Sequence, residues 1–475
     1  MSGVRTIFAN MSWMVISQVL SSVCAFVWTI ITARYLGVYN NGILGTAISF
    51  TTILSVFLDL GLTTYIVRAI STDFENEPKY LGVCITTKAI LYASYFFLTL
   101  IIPLILGWDH YLLAICLLFA IENIIMSTTF LFNVSFQAHE KMHYQAISTI
   151  IISIANLLFI VFVSFTDWNL WGISFAYIIA NLLGCLYSIY AVLRNIVVPK
   201  LTFDFEFSKT LIKASIPFAL TTLFYTIYYS IDMVMLTQFS SAYQTGLYNA
   251  TYKLVTVLTL FYSIYTAVVF PVMSKLFKNE VELLNLSFVK SVKYLSMVTI
   301  PICIFVLFYA GDMIMFCYGN QYASADNVLK ILIWTVSFLF INGACSLVLN
   351  ASHNEVSVTK IYCVAALFNV VLNFVLIPYY SVYGASFATV LSEILILVLM
   401  LVMLSRIGQL PDGHLLFDMG KIVFASVILG VFLYYVPLSM WVAIPVAVVF
   451  YLVVLLVVRI LDDDDKVIVR QILNR

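Results

Sequence analysis

Eight charged side chains lodged in apolar stretches are the residues of this chain whose types and spacing could do chemistry: the cations Arg34, Arg68, Lys88 and Lys253, and the acids Asp59, Asp232, Glu122 and Glu393. A charge at membrane depth costs roughly 2.5–3.5 kcal/mol on insertion scales, so it normally faces a wet cavity or a partner. A guanidinium matches phosphate oxygens in bidentate fashion, which suits Arg34, at the outer end of the first apolar run, to hold a phosphate. Its plainer role is snorkelling to headgroups. Asp232 and Lys253 lie at depths of roughly 12 and 13 Å, counted at 1.5 Å per residue, and are placed to pair. Either they form a static ion pair between adjacent helices, or Lys253 is a cavity cation that Asp232 orients and releases. Asp59 and Lys88 repeat this pattern toward the inner face, at roughly 16 and 12 Å from the inner ends of their spans. Arg68 lies shallower. Together the four cations are expected to line an anion path. Glu122 and Glu393 sit near mid-membrane with no obvious cation at their depth, which favours the neutral acid. They are expected either to hydrogen-bond between helices or to couple transport to protons.

One enzyme pattern competes. His139-Glu140-Lys141-Met142-His143 satisfies His-Glu-x-x-His, which places two zinc ligands on one helical face. It falls at a junction between spans and lacks a clear third ligand, so neither a metal nor another cofactor is expected. The eight cysteines lie singly, without Cys-x-x-Cys spacing, and read as small buried hydrophobes. No Gly-rich Walker sequence offers a cradle for ATP phosphates.

These residues are positioned by elements made for lipid. Of 475 residues 63% are hydrophobic and 10% charged, with mean hydropathy +1.05. Soluble domains carry about 25% charged residues. With 23 Lys+Arg against 23 Asp+Glu there is no global field to attract nucleic acid. About fourteen runs are long enough to cross a hydrocarbon core as helices: 10–33, 42–70, 81–106, 110–137, 144–166, 169–194, 209–239, 244–273, 288–310, 325–351, 356–378, 381–405, 417–436 and 438–460. With both termini cytoplasmic, 20 of 23 basic residues fall near the inner face, leaving Arg34, Lys253 and Lys330 as exceptions. Trp28, Trp108, Trp168, Trp171, Trp334 and Trp441 then fall near outer ends, as an interfacial belt requires.

The chain also repeats itself. Tyr39-Asn40-Asn41-Gly42-Ile43 matches Tyr243-Gln244-Thr245-Gly246-Leu247 at an offset of 204, and Gly172-Ile173-Ser174-Phe175-Ala176 matches Gly384-Ala385-Ser386-Phe387-Ala388 at 212. Six spans per half, an even number, give both halves the same orientation, a parallel repeat with the substrate path between halves. The expected organisation is a six-helix bundle over 1–200, a second over 201–405, and two further helices with a cytoplasmic tail over 406–475.

Four places carry a family resemblance: Ala33-Arg34-Tyr35-Leu36-Gly37 with Gly42; Asp59-Leu60-Gly61-Leu62 through Arg68; Phe136-Gln137-Ala138-His139-Glu140-Lys141-Met142; and Gly319-Asn320-Gln321-Tyr322 through Leu329. In order and spacing they resemble the O-antigen and polysaccharide transporters of the multidrug, oligosaccharidyl-lipid and polysaccharide exporter superfamily, over essentially the whole chain. The resemblance implies a V-shaped pair of six-helix bundles and a lipid pyrophosphate bearing an oligosaccharide as substrate. The function it points to is a flippase of the cytoplasmic membrane working by alternating access, not an enzyme. Energy would come from an ion gradient, of H+ or Na+, from the membrane potential or from consumption of product, and polysaccharide polymerase machinery would be a partner. A drug or metabolite exporter and a lipid II flippase share the superfamily and remain alternatives.

Overall fold

A computed structural model describes residues 2–202, 204–279, 281–409 and 413–460. Among these residues there is no strand. The helices are α1 (Ser2–Leu54), α2 (Val56–Asp59), α3 (Leu62–Thr72), α4 (Glu77–Ile105), α5 (His110–Ala138), α6 (Met142–Val163), α7 (Asn169–Asn195), α8 (Phe205–Phe239), α9 (Ala242–Asn279), α10 (Val281–Tyr318), α11 (Asp326–Leu332), α12 (Trp334–Ala351), α13 (Glu355–Arg406), α14 (Gly413–Tyr435) and α15 (Met440–Val457). In lipid every backbone polar group must be satisfied within its own segment, and the helix does this. Where the chain leaves the helix, polar caps and glycines take over. Asp109 and Asp204 accept from the Leu112 and Phe207 N–H groups at the starts of α5 and α8, and Gly107, Gly319 and Gly408 turn the chain at positive φ.

Eleven helices among the described residues are long and apolar enough to cross a membrane, which makes this a multi-pass membrane protein. Asn10–Thr72, with 63 residues, and Glu355–Arg406, with 52, are each long enough for two crossings. Within them α1 and α13 each change direction at one residue outside the helical region, Gly37 (φ 69°, ψ 175°) and Ser381 (φ 51°, ψ −129°). With these two stretches counted twice the eleven account for thirteen of the fourteen expected spans; the expected eighth, 244–273 within α9, falls partly outside the residues whose side chains are described. By contact the chain divides into two compact units, Met1–Lys253 with Asn373–Val382, and Leu254–Leu372 with Tyr383–Arg475.

The repeat is written into the backbone. Non-glycine residues rarely adopt positive φ, yet Asn169 and Ser381, 212 residues apart, both have φ 51°, and Glu140 and His353, 213 apart, have φ 54° and 58°. Each pair turns the chain between equivalent spans, at the offset of the second sequence match or one residue beyond it.

The first sequence match has a different structural meaning, because its two copies touch. In the first unit α1 and α9 cross where Gly42 faces the Ala242 carbonyl and Gly246 faces the Val38 carbonyl. A Cβ would lie 1.8 Å from the first oxygen and 1.9 Å from the second. Only glycine permits that approach of backbones. The crossing is stitched by amides: Asn249 Nδ2 donates to the Asn41 carbonyl (3.1 Å) and Oδ1 (3.2 Å), and Asn41 Nδ2 donates to the Gly246 carbonyl (3.4 Å). The Thr237 hydroxyl joins those of Thr46 and Thr245 one turn away. G42A and G246A are each expected to lower stability by about 1–3 kcal/mol through overpacking. G311A, at a site with open space around it, is expected to be neutral or slightly stabilising; thermal unfolding of the three variants in detergent checks this.

Candidate functional site

Sequence reasoning placed Asp59 and Lys88 at similar depth on neighbouring spans, and the structure brings them together. Lys88 is only 1% exposed, and its Nζ lies 2.7 Å from Asp59 Oδ1. The ammonium also donates to Ser127 Oγ (2.9 Å) and, at 3.4 Å, to the Ser127 carbonyl. Lys88 comes from α4 and Ser127 from α5. Asp59 reaches them because the second span is broken there: α2 ends at Asp59, Leu60 (φ 46°) and Gly61 (φ 78°) turn left-handed, and α3 begins at Leu62. Leu at positive φ costs roughly 1–2 kcal/mol. Asp59 offsets part of this by accepting from the Thr63 N–H (3.3 Å) and hydroxyl, so it caps α3 while holding the lysine.

The pair opens on a cavity of about 310 Å³ whose lining includes Asp59, Lys88, Asn123, Ser127, Gln137 and Thr222. Ser127, Asn123 and Thr63 were not singled out from the sequence. Their signal was available, since Asn123 and Ser127 stand one turn apart on α5 and Thr63 stands one turn after Asp59. A lysine held by one carboxylate and one hydroxyl beside a polar cavity can bind an anion, provided the anion takes the place of Asp59.

The other site candidates lie elsewhere. Arg34 and Arg68 are exposed on α1 and α3, Lys253 is half-buried on α9, and none of the three lines the Lys88 cavity. Asp232 is 3% exposed and accepts from the Tyr248 hydroxyl (2.6 Å) and from Asn373 Nδ2, so α8, α9 and α13 meet at this acid. Glu122 on α5 accepts from Asn181 Nδ2 of α7 at 2.9 Å. Glu393 on α13 accepts from Asn342 Nδ2 of α12 at 2.7 Å. Lys330, one of the three cations at an unexpected depth, is paired with Asp326 one turn before it, at 3.2 Å.

The His-Glu-x-x-His stretch does not form one helical face. α5 ends at Ala138, Glu140 turns left-handed and α6 starts at Met142, so His139 and His143 stand on opposite sides of a turn. His139 Nε2 instead lies 2.7 Å from Glu77 at the start of α4. In the loop before α4, Asn76 Nδ2 donates to Asp73 at 2.7 Å and holds its carboxyl below the usual carboxylate range.

Removing one side of the Lys88–Asp59 pair leaves the other charge uncompensated. K88M is expected to cost about 2 kcal/mol, below the 3–5 typical of a fully buried pair because Asp59 is 30% exposed. The double variant D59N/K88M is expected to recover most of that loss; a double-mutant cycle on thermal unfolding measures it.

Comparison with known proteins agrees with this architecture. The chain is 25% identical over 408 residues to the uncharacterized membrane protein MJ1375 of Methanocaldococcus jannaschii, covering 80% of this chain and 94% of the relative. Its fold is similar to that of the lipid II flippase MurJ in an inward closed conformation, with TM-score 0.75, 17% identity, and 92% and 97% of the two chains covered. It is also similar to an inward-facing multidrug resistance transporter of the MATE family in the MOP superfamily, with TM-score 0.66, 12% identity, and 80% and 95% covered. The family model described as polysaccharide biosynthesis protein matches residues 7–277, more than half the sequence, and the chain belongs to that family.

Proposed function

We propose that this protein is a flippase that carries a polyprenyl-pyrophosphate-linked oligosaccharide, the repeat unit of a surface polysaccharide or O-antigen, across the cytoplasmic membrane by alternating access. The observation that carries the proposal is Lys88: a buried ammonium beside a polar cavity, held by a carboxylate on the broken second span. A phosphate displaces Asp59 from Lys88 by offering the same kind of charged acceptor with more oxygens. The left-handed turn at Leu60–Gly61 is the joint that lets Asp59 withdraw. Arg34, Arg68 and Lys253 extend the anion path, and the bundles over 1–200 and 201–405 rock about it.

The crossing of α1 and α9 at Gly42 and Gly246 is the closed outer gate of this cycle. Asp232, where three helices meet, is the gating acid, and H+ or Na+ supplies the coupling. Membership of the polysaccharide biosynthesis family supports the sugar-lipid substrate, and polymerase machinery is the partner that would take the product. The protein performs no hydrolysis of its own. In this reading both termini are cytoplasmic, an orientation that the placement of basic residues supports.

A second proposal, a cation-coupled exporter of drugs or metabolites, draws on the likeness to the MATE transporter. The buried lysine separates the two, because an organic cation is repelled where a pyrophosphate is held. A lipid II flippase would use the same chemistry on a different sugar, and the likeness to MurJ favours it over the exporter.

Reconstituted vesicles loaded with a labelled polyprenyl-pyrophosphate oligosaccharide test this. The purified protein is expected to move the label between leaflets, and K88A to slow it by about tenfold or more, the scale of one lost charge-assisted contact. Movement of cationic drugs with no movement of the sugar lipid would overturn the proposal in favour of the exporter.

A further inference from the structure

The number of hydrogens that Lys88 can give limits what its cavity can hold. An ammonium carries three donors and no acceptor. At Lys88 all three are engaged: one with Asp59 Oδ1 at 2.7 Å, one with Ser127 Oγ at 2.9 Å and one with the Ser127 carbonyl at 3.4 Å. An anion that takes the place of Asp59 therefore meets a single N–H. Turning a second donor into the cavity would leave an oxygen of the buried Ser127 unmet.

The charges agree with this count. Among the described residues that line the cavity, Lys88 is the one cation and Asp59 the one acid. A phosphate bonded to two carbons carries one negative charge, the same as the carboxylate it displaces. A pyrophosphate between two carbons carries two. Exchange of Asp59 for the first leaves the balance at Lys88 unchanged, whereas placing both phosphates of the second beside one ammonium buries a charge that nothing answers. Thr63, whose N–H (3.3 Å) and hydroxyl now serve Asp59, is freed by the same exchange, and its donors point to the spot the carboxylate leaves. The two carboxamides of the lining donate to protein instead: Asn123 Nδ2 to Thr51 Oγ1 (3.2 Å) and the Phe119 carbonyl (2.8 Å), and Gln137 Nε2 to Gln145 Oε1 (3.1 Å).

We propose that the Lys88 cavity reads a single phosphate, with Ser127 as the specificity-determining residue that uses two of the three ammonium donors. A lipid carrying its sugar on one phosphate is then accepted as well as one carrying it on a pyrophosphate, whose second phosphate stays on the exposed side of Asp59. This rests on the flippase reading for the sugar and the lipid; the phosphate count rests on Lys88 and Ser127.

Binding is measured first, on the full-length protein in detergent, with two polyprenyl lipids that bear the same single sugar, one through a phosphate and one through a pyrophosphate. The two are expected to bind within about threefold of each other, because a second charge-assisted contact would add about tenfold or more. D59N, which removes the competing carboxylate, is expected to tighten both by about tenfold, and K88M to weaken both by about as much. S127A, which sets one donor free, is expected to raise the preference for the pyrophosphate lipid by about threefold or more. No binding of either lipid, a pyrophosphate lipid held about tenfold more tightly by the unaltered protein, binding that D59N and K88M leave unchanged, or an S127A protein with the parent's preference overturns the proposal. Transport of the same two lipids in vesicles separates it from the flippase reading. Movement of the pyrophosphate lipid with none of the phosphate lipid sinks the single-phosphate inference and leaves the flippase standing. Binding of both through Lys88 with movement of neither supports the phosphate count and sinks the flippase.

Discussion

Hydrocarbon cannot solvate a charge or a loose peptide group, and this single constraint organises the molecule. Lys88 is answered by Asp59, Lys293 by Asp418 on α14, and Lys330 by Asp326. Asp232, Glu122 and Glu393 are each met by an asparagine amide. Asparagine suits this task because one short side chain can cross between helices and donate without adding a second charge. The helices are thus ordinary apolar cylinders joined at a few polar points. Those points are where a change of state can be registered, since each can be made or broken without disturbing the lipid-facing surface.

Hydropathy made the helices legible, because length and apolarity are dictated by bilayer thickness and little else. The repeat was legible too, in Gly172-Ile173-Ser174-Phe175-Ala176 and its copy, and the shared backbone turns at Asn169 and Ser381 show that the match reaches the main chain. Of the site, Asp59 and Lys88 could be read because both lie at similar depth, toward the inner face, on adjacent spans. The break between them could not: Leu60-Gly61 reads as apolar filler, and only Asp59 placed one turn before Thr63 hints at a cap inside a span. Asn373 as a partner of Asp232 was hidden by distance, with 141 residues between them.

The His-Glu-x-x-His stretch shows how a spacing can mislead. Its ligand geometry presumes an unbroken helix, and the left-handed residue at Glu140 removes that presumption. The same turn recurs at His353, so it belongs to the repeated architecture and not to any metal chemistry. Spacing has chemical meaning only once the backbone that carries it is known.

At the Gly42–Gly246 crossing main chain meets main chain, with the Val38 and Ala242 carbonyls turned toward the opposite helix. Parting such a contact does more than expose apolar side chains such as Val38. It uncovers peptide oxygens and the amides of Asn41 and Asn249, all of which hydrate readily. If the crossing opens as the proposed cycle has it, water would therefore flow in as the helices separate, and the mouth would be wetted before any cargo reached it.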